Sequence, residues 1–323
     1  MGNTQSKFIK EQRLLLAPRH LTMYVIVSPT CVERLHLMGC GLKRMLMIRL
    51  SLCVGSHVEP KWNSNASHNI MMSIACRVTG GIVAAVRNKA AKEAEELCAL
   101  GQCVAALIPL HKAIVLGDLP SRALMAWLHI NGREGVTVDR KRGFELAKEG
   151  ASLGCQHCLG VMAICYKGHS GTKGGMEGVG FGIQRDTARS LELARQSSEN
   201  GSMYGQCALG DLLADGEGGV AQDCDQALVL YKLAAAQNFD GAQCNLGCLY
   251  SMGIGVYQSY AEGQRWYQLA ATQGHPRGLF EVASGHEHGW GVRADKVKAI
   301  RLYRQAQAAG HPVAAYALRR LKA

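Results

Sequence analysis

A punctuation repeated five times in the second half of the chain constrains its fold more than any other feature. Glycine followed by valine or isoleucine recurs as Gly135-Val136, Gly182-Ile183, Gly219-Val220, Gly255-Val256 and Gly291-Val292. Three positions later stand Asp139, Asp186, Asp223, Ser259 and Asp295. Aspartate and serine accept hydrogen bonds from the unpaired N–H groups of a helix start. Ser259-Tyr260-Ala261-Glu262 and Asp223-Cys224-Asp225-Gln226 also fit the reciprocal capping box. Fifteen residues beyond each cap come Gly154, Gly201, Asn238, Gly274 and Gly310, the residue types that most easily take the left-handed conformation ending a helix. His275-Pro276 and His311-Pro312 follow at once, and proline cannot continue a helix. Five helices of about four turns therefore start and stop by the same chemistry.

A further helix is predicted before each glycine turn, with cores at Gln206–Leu213, Gln243–Tyr250 and Leu279–His286, closed by Gly132, Gly216, Gly253 and Gly289. Tyr231, Tyr267 and Tyr303 share one position of the later helices, where Ala147 and Ala194 stand in the earlier copies; Ala234, Ala270 and Ala306 lie three residues on, on the same face. The unit is helix, glycine-rich turn, helix, with a period of 36 or 37 residues, stretched to 47 between Gly154 and Gly201 by a loop over Gly168–Gly182. One such pair cannot bury its apolar face alone, whereas stacked copies bury it between neighbours. The fold class expected is all-α, an α-solenoid of stacked helix-turn-helix repeats over 118–312. A C-terminal capping helix, Val313–Lys322, lies within 313–323. N-terminal helices and a half repeat ending at Gly117 occupy 81–117, including a helix over Arg87–Ala99. A basic, poorly ordered extension is expected over 1–80.

The repeat resembles the Sel-1-like repeat, a relative of the tetratricopeptide repeat (TPR). The likeness rests on Gly253-Ile254-Gly255-Val256 followed by Trp266-Tyr267-Gln268-Leu269-Ala270-Ala271-Thr272-Gln273-Gly274-His275. It covers roughly 95–323 and implies a right-handed superhelix with a concave face. It also implies a non-enzymatic adaptor or scaffold role in protein–protein interaction. In that arrangement the exposed face of the first helix of each pair would meet a protein partner, with Asp211, Asn245, Cys248 and Glu281 as candidate contacts. Hydrolase activity, sometimes attributed to bacterial relatives, is an analogy that no nucleophile–base pair in this sequence supports.

Charge narrows the partners. Of the net +11, residues 1–92 hold 13 Lys/Arg against 3 Asp/Glu, whereas 93–323 hold 23 against 22. The repeats so lack a net field for phosphate, the basic arm lacks interleaved aromatics, and no nucleic acid partner is expected. Met1-Gly2-Asn3-Thr4-Gln5-Ser6-Lys7 matches an N-myristoylation signal. With Lys7, Lys10, Arg13 and Arg19 as a second attraction, an acylated Gly2 would give peripheral membrane contact, the alternative reading of function. An organelle transit peptide is a weaker competitor. No run of about 18 uncharged apolar residues appears, and the 13 unpatterned cysteines favour a reducing compartment, so a cytoplasmic protein is expected.

Other motifs read as structure. Cys155-Gln156-His157-Cys158 has half of a zinc site's spacing but no second half, and Cys158 falls where other copies carry Ala123, Gly205 and Ala242, so a core cysteine is expected. Cys207 and Cys244 face Ser198, Ala235 and Ala271 rather than cysteines, which argues against a disulfide ladder. The segment 168–174 lacks the Gly-Lys-Ser/Thr order of a phosphate loop. His286-Glu287-His288 is expected in a turn with both imidazoles toward solvent. No metal, cofactor or catalytic residue is assigned.

Overall fold

The computed structural model describes residues 65–133, 135–168 and 184–322. The chain divides into two units, Met1–Val83 and Ala84–Ala323. Of the first, only the opening of α1 (Asn65–Ala99) is described. That helix starts well before the expected Arg87, so 65–80, assigned above to the extension, belongs to its N-terminal half. The second unit continues with α2 (Cys103–Val115) and then five pairs: α3 (Leu119–Asn131) with α4 (Arg140–Ser152), α5 (Gln156–Lys167) with α6 (Thr187–Glu199), α7 (Met203–Asp215) with α8 (Cys224–Ala236), α9 (Asp240–Met252) with α10 (Tyr260–Thr272), and α11 (Pro276–His288) with α12 (Lys296–Ala308). The final helix, α13 (Ala314–Arg320), is shorter at both ends than expected; Val313 precedes it and Lys322 already has φ 53°. No strand occurs among the described residues.

Every expected cap of the second helices is made. The side chains of Asp139, Asp186, Asp223, Ser259 and Asp295 accept from the backbone N–H groups of Arg142, Arg189, Gln226, Glu262 and Lys298. The reciprocal half of the capping box is not, because each cap's own N–H is already used. It donates to the preceding helix, at His129 O, Tyr166 O, Leu213 O, Tyr250 O and His286 O, over 2.7–2.9 Å. Glu262 instead pairs with Arg265. The cap residue thus starts one helix and pins it to the end of the other, which makes each pair a unit.

The helix ends are equally regular. Gly154, Gly201, Asn238, Gly274 and Gly310 all have positive φ, between 63° and 86°. The residue after each donates back to the carbonyl five positions earlier, as in Cys155→Gly150, Phe239→Ala234 and His275→Ala270, which closes the helix with a Schellman bond. Gly117 with Asp118→Ala113 repeats the pattern, so α2 is the second helix of an incomplete pair. Pro276 then serves as the first residue of α11, where its missing N–H costs nothing.

Within a pair the tyrosine meets a residue with little or no side chain. A Cβ on Gly210 would lie 2.8 Å from the Tyr231 ring, and one on Gly247 would lie 2.6 Å from that of Tyr267; Ala283 packs with Tyr303. Ala147, Ala194, Ala234, Ala270 and Ala306 are fully buried. One turn assignment shifts by a residue. Gly218, Gly255 and Gly291 abut the first residue of the preceding pair's second helix (Thr187, Cys224 and Tyr260), whereas a Cβ on Gly219 would meet nothing. The extra residue between Gly216 and Val220 displaces the equivalence. Gly135 has φ 83°; Gly182 and most of the expected loop lie outside the described residues.

Candidate functional site

The first helices carry a row of polar groups that crosses successive pairs. On α7, Asp211 accepts from the Tyr231 hydroxyl of its own pair (2.7 Å) and from Asn245 Nδ2 of the next (2.8 Å). Asn245 also points at the Cys207 thiol, 3.8 Å away. On α5, Lys167 reaches Asp215 on α7 over 2.7 Å, with its stem covered. On α11, Arg277 lies 3.9 Å from Glu281, and its charge faces Cys248 and Tyr267 of the pair before. The four candidates therefore form one row. Asp211 and Asn245 bond directly across a repeat boundary; Arg277 pairs with Glu281 and lies within electrostatic reach of Cys248.

All four are half-buried, which shapes their chemistry. Burial raises the Asp211 carboxyl above the ordinary range, opposed by Lys167 and by the Tyr231 hydrogen bond. Burial raises Glu281 likewise, opposed by Arg277. Cys248 donates to Met252 Sδ at 3.8 Å and presents a soft apolar edge. Lys167, Asp215 and Arg277 were not among the expected contacts. They become legible once residues are counted from the first-helix caps, which puts Arg277 two residues after His275 and one turn before Glu281.

A second feature, invisible in the sequence, occupies the first-helix side near the start of the array. Trp127 of α3 packs on Tyr204 of α7 at 5.6 Å between ring centroids and on Phe239, the residue before α9, at 5.1 Å. Arg133 forms a buried ion pair with Asp240 at the start of α9. The first complete pair so reaches the fourth directly.

The cysteines and histidines take structural places. Cys158 is fully buried as expected, although its counterpart counted from the caps is Ser121, not Ala123. Cys207 and Cys244 are buried thiols. His275 caps α11: its Nδ1 accepts from Gly278 N–H at 3.3 Å and lies 3.2 Å from the Cys244 thiol. The His286-Glu287-His288 expectation is corrected. The three residues close α11 rather than forming a turn. His286 is buried with Nδ1 3.1 Å from Arg293 O, Glu287 accepts from Tyr303 Oη and pairs with Arg320, and His288 stacks on Trp290. Among the described residues no group of three or more His, Cys, Asp or Glu is placed to hold a metal ion, and no helix is long and apolar enough to cross a membrane. Gly2 lies outside the described residues.

The sequence model of the Sel1 repeat family matches residues 120–155, 174–202, 204–239, 241–275 and 276–311, more than half of the chain. The chain belongs to the Sel1 repeat family. Similar solved structures include a Sel1 repeat protein from Oxalobacter formigenes (23% identity, 71% of this chain and 88% of that one, TM-score 0.45). A second is c5321, a protective antigen of uropathogenic Escherichia coli with an SLR fold (27% identity, 73% of this chain and 50% of that one, TM-score 0.42). A third is the immunity protein Pa5087 from Pseudomonas aeruginosa (17% identity, 70% of this chain and 83% of that one, TM-score 0.41). The chain spans half the length of the E. coli protein it matches. A search of curated proteins returned no match. Sel1 repeats generally mediate protein–protein interaction, and the family is typically non-catalytic. The α-solenoid of stacked pairs is the fold of this Sel1 chain.

Proposed function

We propose that this Sel1 repeat protein is a non-enzymatic adaptor that holds a protein partner against its first helices, between α5 and α11. The observation that carries this reading is the polar row Lys167, Asp211, Asn245, Cys248, Arg277 and Glu281. Its members come from four successive pairs; Lys167 is buried against Asp215, and the other five are half-exposed. A row with this spacing offers side-chain contacts at regular intervals to an extended segment or a helix.

Charge favours a basic or polar segment. Residues 203–288 hold nine Asp/Glu against three Lys/Arg, and 289–323 hold one against eight. The near balance of the whole array hides this polarity. The acidic stretch coincides with the row, so the partner gains from cations aimed at it.

Site-specific photocrosslinking tests the reading. A benzophenone side chain at position 248 or 281 should capture a discrete partner in cells of the source organism. The same group at Lys232 or Leu269, exposed on second helices, should not. Asn245→Arg should abolish capture at 248. Equal capture from both faces, or none from 248 and 281, overturns the proposal.

A further inference from the structure

In the second pair, the residue capping α5 and the residue one turn into it are both cysteines. The other first helices carry Asp118/Ser121, Ser202/Gly205, Phe239/Ala242 and His275/Gly278 at the same two places. Cys155 Sγ accepts from Cys158 N–H at 3.4 Å. Cys155 also reaches the carbonyl of Leu119, the first residue of α3, at 3.5 Å. Cys158 fits because Gly150 on α4 faces its sulfur without a Cβ. Two sulfurs one turn apart, at the end of a helix where N–H groups converge, are placed to close a disulfide without moving the helix axis.

We propose that Cys155 and Cys158 are a redox-active dithiol, converted to an intrahelical disulfide by exchange with a small external disulfide of the glutathione type. The Cys155 thiolate attacks one sulfur of the external disulfide, forms a mixed disulfide and releases the first external thiolate. Cys158 then gives its proton to the released thiolate and attacks the Cys155 sulfur, forming the Cys155–Cys158 bond and releasing the second thiolate, which takes up the proton that Cys155 lost to solvent. Two protein thiols are oxidised and one external disulfide is reduced to two thiols.

The order follows from the geometry. Cys155 is 5% exposed and Cys158 fully covered, so an external reagent meets Cys155 first. The neighbouring Cys158 thiol lowers the Cys155 thiol to about 7, helped by the N–H groups of Cys158 and His157 and opposed by burial. The same thiol contact, with burial, raises Cys158. Cys155 is the attacking sulfur and Cys158 the resolving one. Oxidation removes the S–H that reaches Leu119 O, a contact joining the first and second pairs, so the redox state of the pair is felt at that boundary.

The test uses the full chain in glutathione buffers stepped from fully reduced to fully oxidised, followed by thiol blocking and peptide mapping. A Cys155–Cys158 disulfide should form while the helical circular-dichroism signal stays constant, with Cys165, Cys207 and Cys244 still reduced. Cys158→Ser should accumulate glutathione on Cys155, and Cys155→Ser should carry none at Cys158. Titration of thiolate absorbance at 240 nm should show one thiol half-ionised near neutrality in the wild type and lost in Cys155→Ser. The proposal is overturned if both cysteines stay reduced in the most oxidising buffer, or if the bond forms only after helicity is lost. It is also overturned if Cys98 and Cys103, the other neighbouring thiol pair, oxidise instead.

Discussion

Asp223 performs two tasks that substitution can separate. Its carboxylate accepts from Gln226 N–H at 2.9 Å, and its backbone N–H holds Leu213 O. Asp223→Ala removes only the first and should lower the unfolding free energy by about 1 kcal/mol, with Asp223→Asn close to wild type in urea denaturation. Gly274 isolates backbone strain: φ is 74° and a Cβ there would meet nothing. Asn238 already occupies the equivalent place at φ 63°. Gly274→Asn should therefore be mild, while Gly274→Val should cost about 2 kcal/mol in the same assay, because a β-branched residue is disfavoured in that region. His275 adds a pH dependence. Burial, then the Arg133 charge, lowers its imidazole to about 3, and Nδ1 must stay unprotonated to accept from Gly278. A folded-state value below the unfolded one of about 6.5 means that the contribution is complete above about pH 6.5 and is lost as pH falls toward 3. His275→Ser, which keeps a cap without a titrating ring, should flatten that part of the stability–pH curve relative to wild type.

Between elements, repeats are joined by polar groups as well as by apolar packing. Gln237 Nε2 donates to Gly201 O and Gln206 Oε1, both at 2.9 Å. Gln273, one repeat later, donates to Gln243 Oε1 at 2.9 Å and lies 3.2 Å from both oxygens of Asn238. Gln243 is 2% exposed, so Gln273→Ala leaves a buried acceptor without its donor and should cost about 1–3 kcal/mol. A double-mutant cycle with Gln243→Leu should recover part of that cost, since removing both partners removes the unmet acceptor. These ties mark the limit of what the sequence discloses. Caps and helix ends were legible because each is decided by residues within one turn of each other. The glutamine ladder was not, because it depends on how the end of one second helix meets the start of its own pair's first helix and the end of the preceding second helix. The start of α1 at Asn65 was missed because Gly80 and Gly81 interrupt its interior and no apolar stripe runs along it. The capping box was misread because its donor is claimed by the preceding helix, a contact that local sequence does not contain. Asp211 and Asn245 were found as candidates, but their direct bond was not, since it joins neighbouring pairs.

For the array as a whole, the decisive contact joins residues far apart in sequence. Solenoid stability is largely a sum over neighbours, so a local defect should spread little beyond the adjacent pair. Arg133–Asp240 and the Trp127–Tyr204–Phe239 cluster add a tie that skips pairs, from the first complete pair to the start of the fourth. Both charges are nearly covered, with side chains 4% and 10% exposed, and removing one strands the other in a poorly solvated place. Arg133→Ala should therefore cost about 3–5 kcal/mol, more than any cap, whereas Arg133→Met with Asp240→Leu should restore most of it. The distribution of the effect separates this tie from an ordinary surface pair. Amide hydrogen exchange should accelerate in Arg133→Ala at α9, although the substitution lies before α4, while Asp139→Ala should accelerate exchange only in α3, α4 and their immediate neighbours. Equal, purely local responses to the two variants would mean that the pairs act independently and that the long-range pair contributes no cooperativity.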